Sequence, residues 1–258
     1  MATATRLRPL RLAYALYAGT VFLTLGLAAL LAVVVLPGLE GRRRLTRAMA
    51  RAFLRAVGMP LTVRGLEHLP QGQCVLVANH ASYLDGVVLT AALPPRFAFV
   101  IKREMTRVPL VAALLRRIGS EFVERFEPGR TTADARRVVR SAVNGHSLVF
   151  FPEGTFSPQP GLMKFHAGAF ITAARARCPV VPAVIHGTRA ALPPGRQLPA
   201  PASLTVELLA ALAPAAEDDR EPARLREGAR SAILEQLREP DLATYCADSD
   251  RPPHRARA

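Results

Sequence analysis

Between Leu12 and Leu36 the chain runs for 25 residues without a charge. As a helix this stretch extends roughly 37 Å, enough to cross a hydrocarbon core of about 30 Å with some tilt. Arg6, Arg8 and Arg11 precede it, and Arg42, Arg43, Arg44, Arg47, Arg51 and Arg55 follow. The heavier positive flank lies on the carboxyl side, which predicts a membrane protein whose main domain is on the cytoplasmic face. The run is too long for the core of a cleaved signal peptide. Gly19 and Gly26 leave a second arrangement open, in which the segment bends and leaves by the face it entered. From Arg42 to Val57, apolar Leu45, Met49, Phe53 and Val57 recur every four residues while most arginines take other faces. This is a basic amphipathic helix suited to anionic headgroups, with a core-facing helix and a solvated arginine face as the alternative.

Beyond Leu61, strand-like and helix-like segments alternate. Strands are expected at Leu61–Val63, Cys74–Ala78, Phe97–Ile101, Glu121–Val123, Ser147–Phe151, Val180–Ile185 and Leu204–Leu208. Helices are expected at Tyr83–Leu93, Pro109–Arg117, Thr132–Val143, Gly168–Arg177 and Pro222–Leu237. Such alternation predicts the α/β class, with a mixed, mostly parallel sheet flanked by helices behind the N-terminal membrane-associated segment. The expected organisation is residues 1–58 as membrane-anchoring helices, 59–240 as the main domain and 241–258 as a basic flexible tail. Pro182 interrupts the run Val180–Ile185, which predicts a sheet edge or a strand end lining a cleft.

The formal charge of +14 favours anionic partners such as membrane headgroups, nucleic acid or phosphorylated substrates. Nucleic acid is not expected, because no recognised motif or aromatic-interleaved basic patch accompanies the charge. Cys74, Cys178 and Cys246 are odd in number and far apart, which argues against a disulfide framework. No Cys/His cluster has metal-ligand spacing, so no metal is expected.

The chemistry-bearing residues fall where strands end. His80 follows the buried strand Cys74–Ala78, beside Asn79, with Asp85 five positions on. On one continuous helix these two would point about 140° apart. A turn between them, with Ser82 as helix N-cap, allows the carboxylate to accept a hydrogen bond from the imidazole, the arrangement of an oriented general base. A turn histidine and an unrelated capping aspartate is the plainer alternative. Glu153 follows the strand Ser147–Phe151, in a turn with Pro152, Gly154 and Thr155, and is a candidate for binding an acceptor hydroxyl or amine or for positioning a basic group, with a solvated turn glutamate as the plainer alternative. Lys102 and Arg103 after the strand Phe97–Ile101, and Arg125 after Gly119 and the strand Glu121–Val123, are candidates for a phosphate cradle.

With these blocks in order, the chain resembles the glycerolipid acyltransferase family, the group containing bacterial 1-acylglycerol-3-phosphate acyltransferase. The resemblance covers roughly Leu61 to Thr188. Asn79, His80 and Asp85 match N-H-x4-D. Gly119, Phe122, Val123 and Arg125 match G-x-x-F-[IV]-x-R. Phe151 to Thr155 match F-P-E-G-T, and Val181, Pro182 and Ile185 match V-P-x-x-I. Lys102 with Glu104 resembles the family's K-x-E element. The third block usually continues with arginine, where this chain has Phe156.

The resemblance implies acyl transfer to a lysolipid hydroxyl, with acyl-CoA or acyl-carrier protein as co-substrate and no further cofactor. It implies His80 and Asp85 as the catalytic pair, Lys102, Arg125, Glu153, Gly154 and Thr155 as substrate-binding residues, and Asn79 and Gly119 as supports. The implied acceptor is 1-acyl-sn-glycerol-3-phosphate, giving phosphatidic acid. Phe156 keeps another lysolipid, such as a lyso-ornithine lipid, in play. A thioesterase or lipid hydrolase using the same pair, and a membrane-anchored anionic-ligand binding protein, are the competing readings.

Overall fold

Short apolar runs without alternation mark strands buried on both faces. Two such runs, around Val75 and Val180, pair at the heart of one seven-stranded sheet. The computed structural model describes residues 2–124, 128–195, 198–215 and 218–243. Arg125, Cys246 and the polar tail beyond Ala243 lie outside the described residues.

The chain begins with α1 (Ala2–Val35) and α2 (Leu39–Ala56), followed by β1 (Leu61–Arg64), β2 (Val75–Ala78) and α3 (Asp85–Ala92). Next come β3 (Phe97–Lys102), α4 (Pro109–Arg117), β4 (Glu121–Val123), α5 (Pro128–Val143) and β5 (Ser147–Phe150). The remainder comprises β6 (Leu162–Met163), α6 (Gly168–Arg175), β7 (Val180–His186), α7 (Thr188–Ala191), β8 (Leu204–Leu208), α8 (Glu221–Leu237) and β9 (Asp241–Leu242). The large sheet has the order β1-β8-β7-β2-β5-β3-β4. Neighbours from β7 to β4 are parallel, while β8 is antiparallel to β7 and carries β1 parallel to itself. The expected mixed, mostly parallel α/β sheet is therefore the observed one.

The strand period of two divides the core. Leu76, Ala78, Val181, Ala183 and Ile185 pack with Leu54, Val88 and Leu89 from α2 and α3. Val75, Val77, Val180 and Val184 pack with Phe170, Ala173, Leu225 and Ile233 from α6 and α8. Each fully buried Val, Leu, Ile or Phe side chain contributes roughly 1.5–3 kcal/mol.

Three features depart from the sequence expectations. Pro182 lies on neither an edge nor a cleft wall, because β7 is a central strand. Its carbonyl accepts from Leu209, just past the last β7–β8 pair at Ala183 and Leu208, and the ladder resumes at Val180 with Leu212. Between those two pairs, residues 209–211 face only Val181 and Pro182, so the chain beyond β8 bulges by one residue at the rung where the proline lacks its N–H. Second, α2 packs on α3 and spends most of its arginines on protein carbonyls. Arg43, only 9% exposed, donates to Ile118 O (2.8 Å) and Arg96 O (2.9 Å). Arg47 and Arg51 reach the last carbonyls of α3, Ala92 and Ala91, where a helix leaves acceptors unsatisfied. Burial lowers the affinity of the Arg43 guanidinium for its proton. Third, Asp241 and Leu242 pair with β6 as a strand.

The apolar helix α1 lies antiparallel along α2. Tyr14 donates to Val57 O and Tyr17 to Ala56 O, both at 2.9 Å, and Phe22 meets Phe53 edge-on. Val33, near its other end, is buried in a cluster with Ile118. Pro9–Val35 is long and apolar enough to cross a membrane, yet only 22% of its most apolar window is buried. Leu12, Leu16, Leu23, Leu27 and Leu31 are exposed.

Candidate active site

The strands β2, β5 and β7 end side by side, and the chain leaving β2 skips past β5 to form β3. A crevice at such a reversal, outside the carboxyl ends of the strands, is where open α/β sheets bind ligands. Asn79 is buried there. Its amide accepts from Ile185 N (2.8 Å) and donates to Ile185 O (3.1 Å), adding a rung between β2 and β7 where β2 stops. The turn that follows is thereby anchored before His80 begins.

His80 Nδ1 lies 2.8 Å from Asp85 Oδ2, with Asp85 fully buried and the imidazole 19% exposed. A carboxylate only accepts, so Nδ1 carries the proton and Nε2 is left as the basic nitrogen. The same Oδ2 also accepts from Ala81 N (2.7 Å) and Ser82 N (2.9 Å). The helix starts at Asp85, two residues later than expected. Ser82 Oγ accepts from Leu84 N (3.1 Å) and donates to Leu192 O (2.8 Å). The N–H groups of Ala81, Ser82, Leu84 and Asp85 are thus all spent inside the turn, the last on Ser82 O. These four N–H groups are therefore committed to holding the turn.

Glu153 reaches the same turn by its backbone. Its Oε1 accepts from His80 N (2.6 Å) and its Oε2 from Met163 N (2.9 Å). Each oxygen thus accepts from one protein N–H, the first belonging to His80 itself. Burial pushes this carboxyl up to about 7, against the pull of the two N–H groups. Gly154 closes the turn by donating to Phe151 O (3.0 Å), and Thr155 follows it half-buried.

Aromatic rings enclose the imidazole. Phe151 stacks on it with centroids 4.2 Å apart, Phe156 meets it edge-on at 4.5 Å, and Tyr83 meets Phe156 at 4.8 Å. Phe151 and Phe156 flank the P-E-G-T turn, so their closeness to His80 had a local signal. Tyr83 sits within the H-x4-D block itself. Arg189 and Glu239, which brace the same loop, had none.

Of the expected cations, Lys102 and Arg103 fall among the described residues and lie farther along the sheet. Lys102 ends β3, two strands from β2, and is half-buried. With strands about 4.8 Å apart, that end lies about 10 Å from the end of β2. Neighbouring Arg103 is committed to Asp134, with contacts of 2.7 and 2.9 Å. Asp134 also accepts from Arg137 and from Glu124 N. Its burial opposes ionisation, but these donors together hold the carboxyl below its ordinary value. Gly119 stands at the end of α4 with φ +75°, where a Cβ would come within 3.1 Å of Arg43 and Leu39. Its role there is a tight helix exit beneath α2. Among the described residues no group of His, Cys, Asp or Glu could hold a metal ion.

Residues 60–186 match the family model described as Acyltransferase. The chain is 33% identical over 226 residues to lyso-ornithine lipid O-acyltransferase of Pseudomonas aeruginosa, covering 86% of this chain and 81% of that protein. It is 33% identical over 137 residues to the chloroplastic 1-acyl-sn-glycerol-3-phosphate acyltransferase BAT2 of Brassica napus, covering 52% of this chain. It spans only 40% of that plant protein's length, and 51% of the Cocos nucifera 1-acyl-sn-glycerol-3-phosphate acyltransferase. The crystal structure of the 1-acyl-sn-glycerophosphate acyltransferase PlsC from Thermotoga maritima has the same fold, with a TM-score of 0.75 over 90% of this chain and 96% of that one, at 22% identity. Matched along most of its length by one relative and over residues 60–186 by the family model, the chain belongs to the acyltransferase family that contains the 1-acyl-sn-glycerol-3-phosphate acyltransferases.

Proposed function

We propose that the protein is an O-acyltransferase that moves a fatty acyl group from acyl-CoA or acyl-carrier protein to the free hydroxyl of a lysolipid. The observation that carries this reading is the buried His80–Asp85 contact of 2.8 Å at the sheet's reversal point. Nε2 of His80 takes the proton from the acceptor hydroxyl as its oxygen attacks the thioester carbonyl. Asp85 keeps the tautomer and stabilises the imidazolium, which then returns the proton to the departing thiolate. Among the described residues no serine or cysteine stands in contact with His80, which favours direct transfer over an acyl-enzyme. The acceptor named by several relatives is 1-acyl-sn-glycerol-3-phosphate, giving phosphatidic acid. In that reading Lys102 and Arg125 hold its phosphate.

A second acceptor, a lyso-ornithine lipid, is favoured by two specific observations. The relative matched along most of both chains bears that name, and an aromatic ring, Phe156, faces His80 where the family's third block carries arginine.

The geometry of α1 supports attachment to one leaflet rather than a crossing. A spanning α1 would carry its antiparallel neighbour α2 into the hydrocarbon, with six arginines. Each arginine at the bilayer centre costs at least about 2.5 kcal/mol. Lying along the surface, α1 instead presents Leu12, Leu16, Leu23, Leu27 and Leu31 to acyl chains and leaves the sheet on the aqueous, cytoplasmic side. Residues 1–58 then serve as anchor and as part of the core.

Purified enzyme in vesicles, offered a panel of lysolipids with acyl-CoA or acyl-carrier protein, tests the reading. The expected result is lysolipid-dependent thiol release with an acylated lipid product, lost in His80→Ala while vesicle binding persists. Thiol release without an acylated product would mark a hydrolase, and appreciable transfer by His80→Ala would sink the assignment.

A further inference from the structure

The two-residue strand β6 is held almost wholly from the carboxyl-terminal end of the chain. Leu162 N–H donates to Pro240 O at 3.0 Å. Arg230 on α8 donates to Leu162 O (3.0 Å) and to Met163 O (3.1 Å). Asp241 grips the same guanidinium through both of its oxygens. One residue earlier, Gly161 N–H donates to Glu239 Oε2 at 2.7 Å. That carboxylate lies 3.5 Å from Arg189, whose other terminal nitrogen donates to Ser157 O at 2.7 Å. Gly161 has φ +141°, and a Cβ there would fall 2.5 Å from Leu242 and 2.8 Å from Pro240 O. The segment 239–242 therefore lies flush on the loop, with no room for a side chain between them.

The strapped loop is the one that serves His80. Met163 N–H fixes Oε2 of Glu153, and Oε1 of Glu153 fixes the backbone of His80. Phe156, in the same loop, packs its ring on the imidazole. A continuous set of contacts thus runs from Asp241 through Arg230, Met163 and Glu153 to the proposed base. We infer that residues 239–242 form a positioning strap for His80, with Arg230 and Glu239 as its positioning residues. The inference rests on the reading of His80 as the base. The strap touches no reacting atom; it sets where the imidazole stands when the acceptor hydroxyl arrives.

Arg230→Ala and Glu239→Ala in the full chain test it, with steady-state acyl transfer read beside imidazole nitrogen resonances in histidine-labelled protein, His80 being assigned from His80→Ala. The expected result in both is a kcat lower by about tenfold or more, a KM for the thioester within about twofold of the parent, and a displaced His80 resonance. Glu239→Gln keeps an acceptor for Gly161 N–H and should recover most of the rate. Arg224→Ala breaks an arginine–glutamate pair near the start of α8, away from the strap, and should leave kcat unchanged. Should Arg230→Ala not fold, Arg230→Lys, which cannot reach both carbonyls, carries the same test, with about a threefold or larger loss expected. A parental kcat in the folded variants, or a lowered kcat with an unmoved His80 resonance, overturns the strap. Parental activity in His80→Ala would instead overturn the assignment of the base, and the resonance would still report whether the strap positions that ring.

Discussion

Asp85→Asn separates charge from geometry at the centre of the site. Asp85 Oδ2 gathers three donors, His80 Nδ1 and the N–H groups of Ala81 and Ser82. The asparagine carbonyl oxygen can take that place and hold the turn. Its NH2 then occupies the position of Oδ1, which is buried and has no hydrogen-bond partner among the described residues. The structural cost is about 1–3 kcal/mol for one unsatisfied buried group, small enough for a folded protein. The catalytic cost is larger, because the negative charge 2.8 Å from the imidazole is gone when the imidazolium forms. Loss of the orienting carboxylate in a comparable histidine–aspartate pair lowers turnover by about 10⁴. Here a fall in kcat of about 10³–10⁴ is expected, or about 4–5.5 kcal/mol. The assay is thiol release from acyl-CoA with saturating lysolipid, normalised to folded protein, with KM for the thioester unchanged. Asp85→Ala, which strips acceptors from two backbone N–H groups, should also lose about 2–6 kcal/mol of stability. A folded Asp85→Asn enzyme within about tenfold of the parent rate would refute the reasoning and reduce Asp85 to a turn-former.

The remaining expectations concern the loop and the anchor. Burial raises Glu153 to about 7, so the folded protein holds that proton more tightly than the unfolded chain, and the stability this confers is full below pH 4.5 and lost as pH rises through 7. Denaturation of the parent and of Glu153→Gln across this range should show the parent losing about 3 kcal/mol relative to the variant; a pH-independent difference would contradict it. Phe156→Arg puts a cation beside His80 and should shift the ratio of kcat/KM values toward phosphate-bearing acceptors by about tenfold or more, with an unchanged ratio counting against an acceptor role for this position. Leu23→Ser with Leu27→Ser removes two exposed leucines from α1. Each leucine taken fully out of water is worth about 1.5–3 kcal/mol, so vesicle affinity should fall at least tenfold in a sedimentation assay, without loss of turnover on detergent-dispersed substrate.

How far the chain could be read from its sequence depended on how local each signal was. The period-two and unbroken apolar runs located the seven strands of the large sheet to within a residue or so, because burial on one or both faces leaves its mark on consecutive positions, while the two-residue strands β6 and β9 were too short to leave one. His80 with Asp85 was legible for the same reason, both partners lying in one turn. Glu153 was found as a candidate, but which of its possible partners it holds was not legible. Its contacts are backbone N–H groups of His80 and Met163, and an N–H carries no residue identity for a pattern to reveal.

Sequence by itself determined the α/β class, the apolar first helix and the ordered blocks that place chemistry at strand ends. Tertiary structure alone decided where the charges go. Arg43 meets Ile118, 75 positions away, and Glu239 meets Gly161 across 78. In sequence an arginine facing headgroups and one capping a neighbouring helix look alike, since both sit off the apolar stripe. The choice is made by which carbonyls the fold brings within reach, and a buried guanidinium is tolerable only where such acceptors replace its water. Pro182 follows the same logic. It is forbidden in the centre of a sheet by local rules, and it is accepted in β7 because the strand beside it bulges where the missing hydrogen bond would have been.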